Sequence, residues 1–162
     1  MRKKKSRKVY RLVNPLQYAM EGAAIVDEKT LDRLRQLELT TIEAFRTGAA
    51  TVADWQGMAD LCNLTESMAL DGIGPEAMEA VNRCADALIE AHDRYSRTGK
   101  MGTTAQGLTA MRDVYGYHDL QRQAVARSVY ERHIERVRNK IRSKSPDVIV
   151  VNRRTDGSKA SV

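Results

Sequence analysis

The 162-residue sequence has few prolines, aromatic residues and cysteines, and each shortage excludes a class of fold. Three prolines and an aromatic share of 5% are not typical of a β-sandwich or a barrel. Two cysteines, Cys62 and Cys84, with no CxxC motif exclude a disulfide scaffold and predict buried, reduced thiols. The longest apolar runs, 23–26 and 148–151, have four residues each, too few for a signal sequence or a membrane span. We therefore expect a soluble, cytoplasmic protein without a membrane partner.

Positive charge is missing from the middle of the chain and concentrated at its ends. Residues 47–82 hold six acidic residues and no Lys or Arg, whereas residues 1–14 hold seven Lys or Arg and no acid. Residues 120–162 hold eleven Lys or Arg and four acids, and the formal net charge of the chain is +6. This segregation predicts contact between the basic ends and a polyanion, or association between unlike patches.

Capping signals and apolar residues at helical spacing predict an all-α protein. We expect an antiparallel helical bundle with one long C-terminal helix and a basic N-terminal arm. The expected division of the chain is an arm over 1–14, a helical domain over 15–145, and a strand-like run with a disordered tail over 146–162. Before the long helix, the signals predict a short helix over 15–22, then helices over 28–47, 52–71 (with a bend at Asn63) and 75–98.

The stretch 103–143 has no proline and predicts a single helix of roughly 60 Å. Thr103 and Gln106 form a capping box at its start, and Gly116 is the expected kink. Its first part is expected to pair with 75–98, where a heptad seam favours an antiparallel helix pair. That seam comprises Met78, Val81, Ala85, Leu88, His92 and Tyr95.

The second half of the long helix would extend past the bundle and expose an apolar stripe. An exposed apolar stripe of this kind is expected to be buried against another protein surface, which predicts homodimerisation through it. We take its residues as candidate partner-binding residues, together with two carboxylates of the acidic middle: Tyr130, Ile134, Val137, Ile141, Asp60 and Glu66. The apolar run at 148–151 is strand-like, and the sequence leaves open whether it pairs with 9–13 or with the sheet edge of a partner.

The tested motifs give no reason to expect catalysis, a metal or a cofactor. Gly99-Lys100 is not a P-loop, because the required first glycine is replaced by Arg94 and the required Ser or Thr by Met101. The three histidines have no Cys or His at i+3 or i+4, and there is no Glu-x-x-His pair. We expect His92 to be hydrogen-bonded inside the helix pair and His133 to lie on the surface.

Residues 59–69 resemble a helix-turn-helix in their pattern of small and turn residues. The second helix of that motif would present Glu66 and Asp71 to the phosphates, and both would be repelled. The favoured interpretation is a capped bend in an ordinary bundle helix.

The basic arm and the basic half of the long helix are the candidate nucleic-acid-binding segments. Phosphate contacts of this kind position a protein but do not specify a sequence. A solvated charged face is the alternative interpretation of the helix. The candidate residues are Arg2, Lys3, Lys4, Lys5, Arg7, Lys8, Arg132, Arg136, Arg138, Lys140 and Arg142.

The start at 14–22 (NPLQYAMEG), the centre from Leu64-Thr65-Glu66 to Gly72-Ile73-Gly74 and the basic C-terminal helix resemble small uncharacterised proteins of bacteriophages, prophages and plasmids of proteobacteria. The resemblance covers roughly residues 8–145 and brings no catalytic residues. It implies an accessory protein of a mobile element in a bacterial host cell. Our hypothesis is a non-catalytic protein that binds a host protein or a protein–nucleic-acid machine, for example of defence, replication or transcription. The alternative is a sequence-independent nucleic-acid-binding protein.

Overall fold

The computed structural model describes residues 27–143, which form five α-helices and one short 3-10 helix. No strand is found within these residues, where the only β-type pairing is a pair of isolated bridges from Met101 to Ala49 and Ala50. The predicted all-α class is therefore confirmed for this part of the chain. None of its helices is long and apolar enough to cross a membrane. The helices are α1 (Glu28–Thr47), α2 (Val52–Leu70), the 3-10 helix (Pro75–Ala77), α3 (Met78–Thr98), α4 (Ala105–Ala124) and α5 (Arg127–Arg142).

The ends of the first helices follow the local signals of the sequence. Asp27 caps α1 by accepting a hydrogen bond from the backbone N–H of Lys29 at 3.2 Å. Thr51 and Asp54 form a capping box at the start of α2, because each side chain accepts from the other residue's backbone N–H. Gly48 and Gly99 end α1 and α3 with φ of 76° and 72°, a left-handed conformation that favours glycine.

Helix α2 occupies the centre of the fold and packs against all four other helices. It runs unbroken through Asn63, so residues 59–69 lie within one helix and do not form a helix-turn-helix. Trp55 lies at the contact with α3, where its indole Nε1 donates to the carbonyl oxygen of Leu88 at 2.7 Å. The half-buried His92 packs edge-on against the same indole at 5.8 Å between ring centroids. The largest fully buried apolar side chains are Trp55, Phe45, Leu34, Met58, Leu61, Met68, Leu88, Met101 and Met111.

The buried stripe of α3 differs from the predicted heptad seam. Val81 and Leu88 are buried as expected, but Tyr95 is 37% exposed. The rest of the buried stripe consists of small residues, because α3 packs against α2 and α4 at once and small side chains allow both helices to approach. The buried residues of α3 are Ala80, Val81, Cys84, Ala87, Leu88 and Ala91.

Gly107 of α4 lies in close contact with α3. A Cβ atom added there would lie 3.0 Å from the Cβ of Ala87 and would collide with the side chain of Thr103. We expect Gly107→Ala to lower the free energy of unfolding by about 1–3 kcal/mol through overpacking. Gly116 in the same helix has nothing within 4 Å, so Gly116→Ala should raise stability by about 0.5–1 kcal/mol. Urea denaturation of both variants tests this, and equal effects of the two substitutions would contradict it.

The predicted single helix over 103–143 is wrong. Val125 and Ala126 have extended backbones, with ψ of 153° and 152°, and they separate α4 from α5. The predicted kink at Gly116 falls inside α4, and the start is capped by Thr104, whose hydroxyl accepts from the N–H of Gly107 at 3.1 Å. The break lets α5 fold back onto α2, where its apolar stripe is buried.

The stripe predicted to need a partner is covered by the same chain. Tyr130, Ile134 and Val137 are 2%, 6% and 6% exposed, and Ile141 packs against the core partly buried. Within residues 27–143 this stripe therefore does not form an exposed overhang, and Tyr130, Ile134 and Val137 are too buried to bind a partner. Whether the protein forms a homodimer is not decided by this burial, and homodimerisation itself stays a prediction.

Several predictions concern segments outside the described residues. They are the basic arm (1–14), the short helix (15–22), and the pairing of 148–151 with 9–13 or with a partner.

Candidate functional site

Four charged side chains join α1 to α4 and form what we call the ionic cluster: Arg35, Glu38, Asp119 and Arg122. Arg122 binds Glu38 through two parallel hydrogen bonds of 2.7 and 2.9 Å. Arg35 binds Asp119 through Nε and Nη2, both at 2.9 Å. Arg122 also donates from Nε to Asp119 at 2.9 Å, which links the two pairs. Two guanidinium groups and two carboxylates thus balance in charge.

The ionic cluster reaches into the protein interior. Glu38 is 0% exposed and the Arg122 side chain 4% exposed. Burial raises the pKa of Glu38, although the hydrogen bonds from Arg122 oppose this. Burial also tends to raise the pKa of Asp119, but the hydrogen bonds from Arg35 and Arg122 outweigh it and hold that pKa below its ordinary value. The arrangement ties α1 to α4 through paired charges.

A second polar chain crosses the core from α2 through α4 to α5. The Thr65 hydroxyl donates to the Leu61 carbonyl at 2.7 Å, so it can only accept from His118 Nδ1, which lies 3.2 Å away. Nε2 of His118 then accepts from the Tyr130 hydroxyl at 2.9 Å. His118 is therefore neutral, with its proton on Nδ1. Burial, assisted by Arg122, lowers its pKa well below the ordinary value.

Ser67, His133 and Asp71 line up in an order that resembles a catalytic triad. The Ser67 hydroxyl lies 2.8 Å from His133 Nδ1, and His133 Nε2 lies 3.5 Å from Asp71 Oδ2. His133 is 1% exposed, so the prediction of a surface histidine is wrong: α5 turns it inward against α2. Ser67 is 5% exposed and lies within a helix, whose backbone N–H groups are already hydrogen-bonded. It therefore has neither substrate access nor local oxyanion donors.

Sequence reasoning missed the ionic cluster and both histidine chains. A usable signal existed in α1, where Glu38 lies at helical spacing among the buried Leu34, Ile42 and Phe45. A charged residue on an apolar stripe predicts a buried partner. The partner lies 84 residues away, so its identity could not be read from the sequence.

The two cysteines are buried, as predicted, at 1% and 0% exposure. The thiol of Cys62 lies beside that of Cys84 and donates to the Val81 carbonyl at 3.5 Å. Its hydrogen bond with Cys84 and its burial raise the pKa of Cys62 well above the ordinary value. The thiol stays protonated at neutral pH and is therefore a poor nucleophile.

The predicted cationic face of α5 is interrupted by acidic neighbours. Arg136 binds Asp71 at 2.8 Å, and Arg138 binds Glu135 at 3.1 Å. Arg132 and Arg142 are exposed, and Lys140 is partly buried. The structure therefore places two of the predicted phosphate contacts, Arg136 and Arg138, in ion pairs with the protein itself. The six predicted arm residues lie outside the described part.

The predicted partner-binding carboxylates on α2 lie on different sides of that helix. Asp60 and Glu66 are both partly buried, and six residues of an α-helix separate them by well over a right angle. Burial raises the pKa of Asp60 to about 7. The structure therefore does not bring the two carboxylates into one acidic site.

Within residues 27–143, no group of three or more His, Cys, Asp and Glu side chains is placed to hold a metal ion. Comparison with models of known protein families, with curated proteins and with solved structures yields no match.

The neutral, buried His118 makes stability depend on pH. Below about pH 6.5, His118 binds a proton in the unfolded chain but stays neutral in the folded chain. The free energy of unfolding therefore falls by up to about 1.4 kcal/mol per pH unit. Replacement by a non-titrating residue removes this dependence. We expect His118→Gln to cost about 1–3 kcal/mol at pH 7.5 through imperfect hydrogen bonds. The difference in free energy of unfolding between the variant and the natural chain should become smaller between pH 6.5 and 5, as measured by urea denaturation. A difference that stays constant over this range would contradict the prediction.

Proposed function

We propose that this chain is a non-catalytic accessory protein that binds a host protein–nucleic-acid machine, with the basic arm as its electrostatic contact. The distribution of charge between the helical body and the ends supports the proposal. Residues 27–143 hold 16 Lys or Arg against 18 Asp or Glu, whereas the flanking 1–26 and 144–162 together hold 11 against 3. The positive charge of the chain is therefore supplied by its ends.

The arm is a better candidate than α5 for this contact. In α5, Arg136 and Arg138 already bind carboxylates of the same protein. A phosphate would have to compete with those carboxylates, which lowers the gain in binding energy. Residues 1–14 contain seven cations and no acid, so no such competition exists within the arm sequence. The body is proposed to be an antiparallel helical bundle that carries the arm.

The absence of catalysis in this proposal is supported by where the reactive groups lie. Cys62, Ser67, His118 and His133 have exposures of 5% or less. Each is hydrogen-bonded to a protein group, and these bonds link helices of the body. The setting in a mobile element of a proteobacterial host is proposed from the resemblance of the sequence.

Direct, sequence-independent binding to DNA or RNA is the second candidate, and the same arm favours it. An affinity pull-down from host lysate, with and without nuclease, separates the two. A protein partner retained after nuclease treatment supports the first candidate. Loss of all retained material after nuclease, together with binding to purified DNA, supports the second. If no partner is retained and purified DNA does not bind, both are wrong.

A further inference from the structure

The sequence at the break between α4 and α5 has none of the usual signals that end one helix and begin another. Val125, at the end of α4, has an extended backbone with φ of −118°, whereas α1 and α3 end at left-handed glycines. Ala126 precedes α5, and an alanine side chain has no group that can cap the first backbone N–H groups of a helix. Arg127 then places a cation at the positive end of the helix dipole. Residues 123–127 therefore have the sequence of a helix interior, not of a helix boundary.

A continuous helix through the break would add backbone hydrogen bonds. It would pair the carbonyls of residues 122–124 with the N–H groups of residues 126–128. Alanine is the strongest helix former, and the stretch 123–127 contains no proline or glycine. Opening of the break would, however, expose the apolar stripe of α5, which is buried in the structure. The open chain is therefore stable only where another surface covers that stripe.

The surface that fits the stripe of α5 is the one that it covers in this structure. Helix α5 packs mainly against α2, and it is the last helix of the described residues, so no other described helix would have to move with it. Three side-chain contacts accompany the apolar packing: Tyr130 with His118 at 2.9 Å, His133 with Ser67 at 2.8 Å, and Arg136 with Asp71 at 2.8 Å. A second copy of the chain has the same surface with the same groups. Each of these contacts can therefore form between two copies as well as within one.

We propose that the protein forms a dimer by exchange of α5: Val125 and Ala126 become helical, α4 and α5 merge into one helix, and α5 of each copy packs against α2 of the other. The side-chain contacts are the same in the two forms. The backbone hydrogen bonds gained at the break therefore oppose the entropy that is lost on association, and the dimer is favoured by a high protein concentration. Exchange does not depend on the proposed function, because α2, α4 and α5 make all of its contacts.

The first test is the molar mass of the full-length protein after refolding. Exchange requires α5 to leave its own chain, so the protein is unfolded in urea and refolded at low micromolar and at millimolar concentration. Size-exclusion chromatography with light scattering should show a share of dimer that rises with the refolding concentration. Monomer alone in both samples would overturn the proposal.

Substitutions of the exposed Ala126 distinguish exchange from dimerisation through another surface. Ala126→Pro fits the break, because φ of Ala126 is −68° and Val125 has the extended backbone that is preferred before proline. Inside a continuous helix the same proline would lose a backbone hydrogen bond and collide with the carbonyl of Arg122, so it should weaken dimerisation at least roughly tenfold. Ala126→Gln is the matched control: glutamine is a good helix former without a capping preference, and this variant should dimerise as the natural chain does. Equal dimerisation of the two variants would overturn exchange of α5.

A mixing experiment identifies the contact that joins the copies. Asp71→Arg and Arg136→Asp each place two like charges at the contact between α2 and α5. In an exchanged dimer of one variant with the other, one contact joins the two substituted side chains, whose charges are opposite, and the second contact joins the natural Asp71 and Arg136. After the two variants are refolded together, native mass spectrometry should therefore show mixed dimers above their random share. Mixed dimers at or below that share would overturn exchange, because a dimer through another surface gains nothing from the combination.

Discussion

Deletion of residues 1–8 is expected to abolish most of the salt-sensitive binding of this protein to DNA. The deletion removes six of the seven arm cations. If seven phosphates are neutralised, the slope of log K against log salt should be about −6, and affinity should fall roughly 10³- to 10⁴-fold between 50 and 200 mM salt. With one cation left, the slope should approach about −1 and the fall should be roughly threefold. Fluorescence anisotropy with a labelled duplex across this salt range measures both values.

The matched control removes cations from α5. The variant R127Q/R136Q/R138Q deletes three positive charges that are already bound to Glu131, Asp71 and Glu135. Because these charges are compensated within the protein, the slope should change by less than about 1. If the slope of log K against log salt is unchanged by the arm deletion but falls strongly in the α5 variant, the contact is made by the helix and our choice of the arm is wrong.

Replacement of Arg122 by methionine is expected to produce the largest loss of stability in the described part of the chain. The substitution leaves Glu38 at 0% exposure without the guanidinium that binds both its oxygens. Breaking a buried ion pair on one side costs about 3–5 kcal/mol, which is a large part of the stability of a typical domain. Urea denaturation at pH 7.5 measures the loss.

Two controls separate the buried charge from other effects. Arg46 and Glu43 form an ion pair of the same type with both side chains about half exposed, so Arg46→Gln should cost less than about 1 kcal/mol. The double variant Glu38→Leu/Arg122→Met removes both charges and should recover most of the stability. In the single Arg122→Met variant, lowering the pH should reduce the loss in free energy of unfolding. The reason is that Glu38, whose pKa is raised in the folded protein, is protonated at a higher pH than in the unfolded chain. A loss below about 1 kcal/mol would show that the ionic cluster does not stabilise the fold.

Local sequence determined the helical class and most ends of the first three α-helices. The cap at Asp27, the capping box at Thr51 and the glycine ends at Gly48 and Gly99 each depend on hydrogen bonds or backbone angles within four residues. Such features depend on neighbouring residues and not on the packing of distant segments, so a single sequence is enough to predict them. The charge distribution along the chain is likewise a property of the sequence alone.

Tertiary structure decided what each helical face is buried against. The spacing of Tyr130, Ile134 and Val137 shows that one face of α5 will be buried, but the spacing is the same whether a second copy or α2 covers it. The break at Val125 and Ala126 has no proline or glycine to mark it, and burial of that face on the same chain selects it.

The polar contacts of the candidate site could not be predicted from the sequence either. Glu38 and Arg122 are 84 residues apart, and His133 meets Ser67 across 66 residues. Apolar spacing predicts that a helix face is covered, but hydrogen bonds between polar side chains depend on the helix positions to within a few tenths of an ångström. The sequence of this protein therefore determined its helical class, the ends of its first three α-helices and its charge map. Only the packing of the five described helices on one another decided which polar groups are paired and hidden.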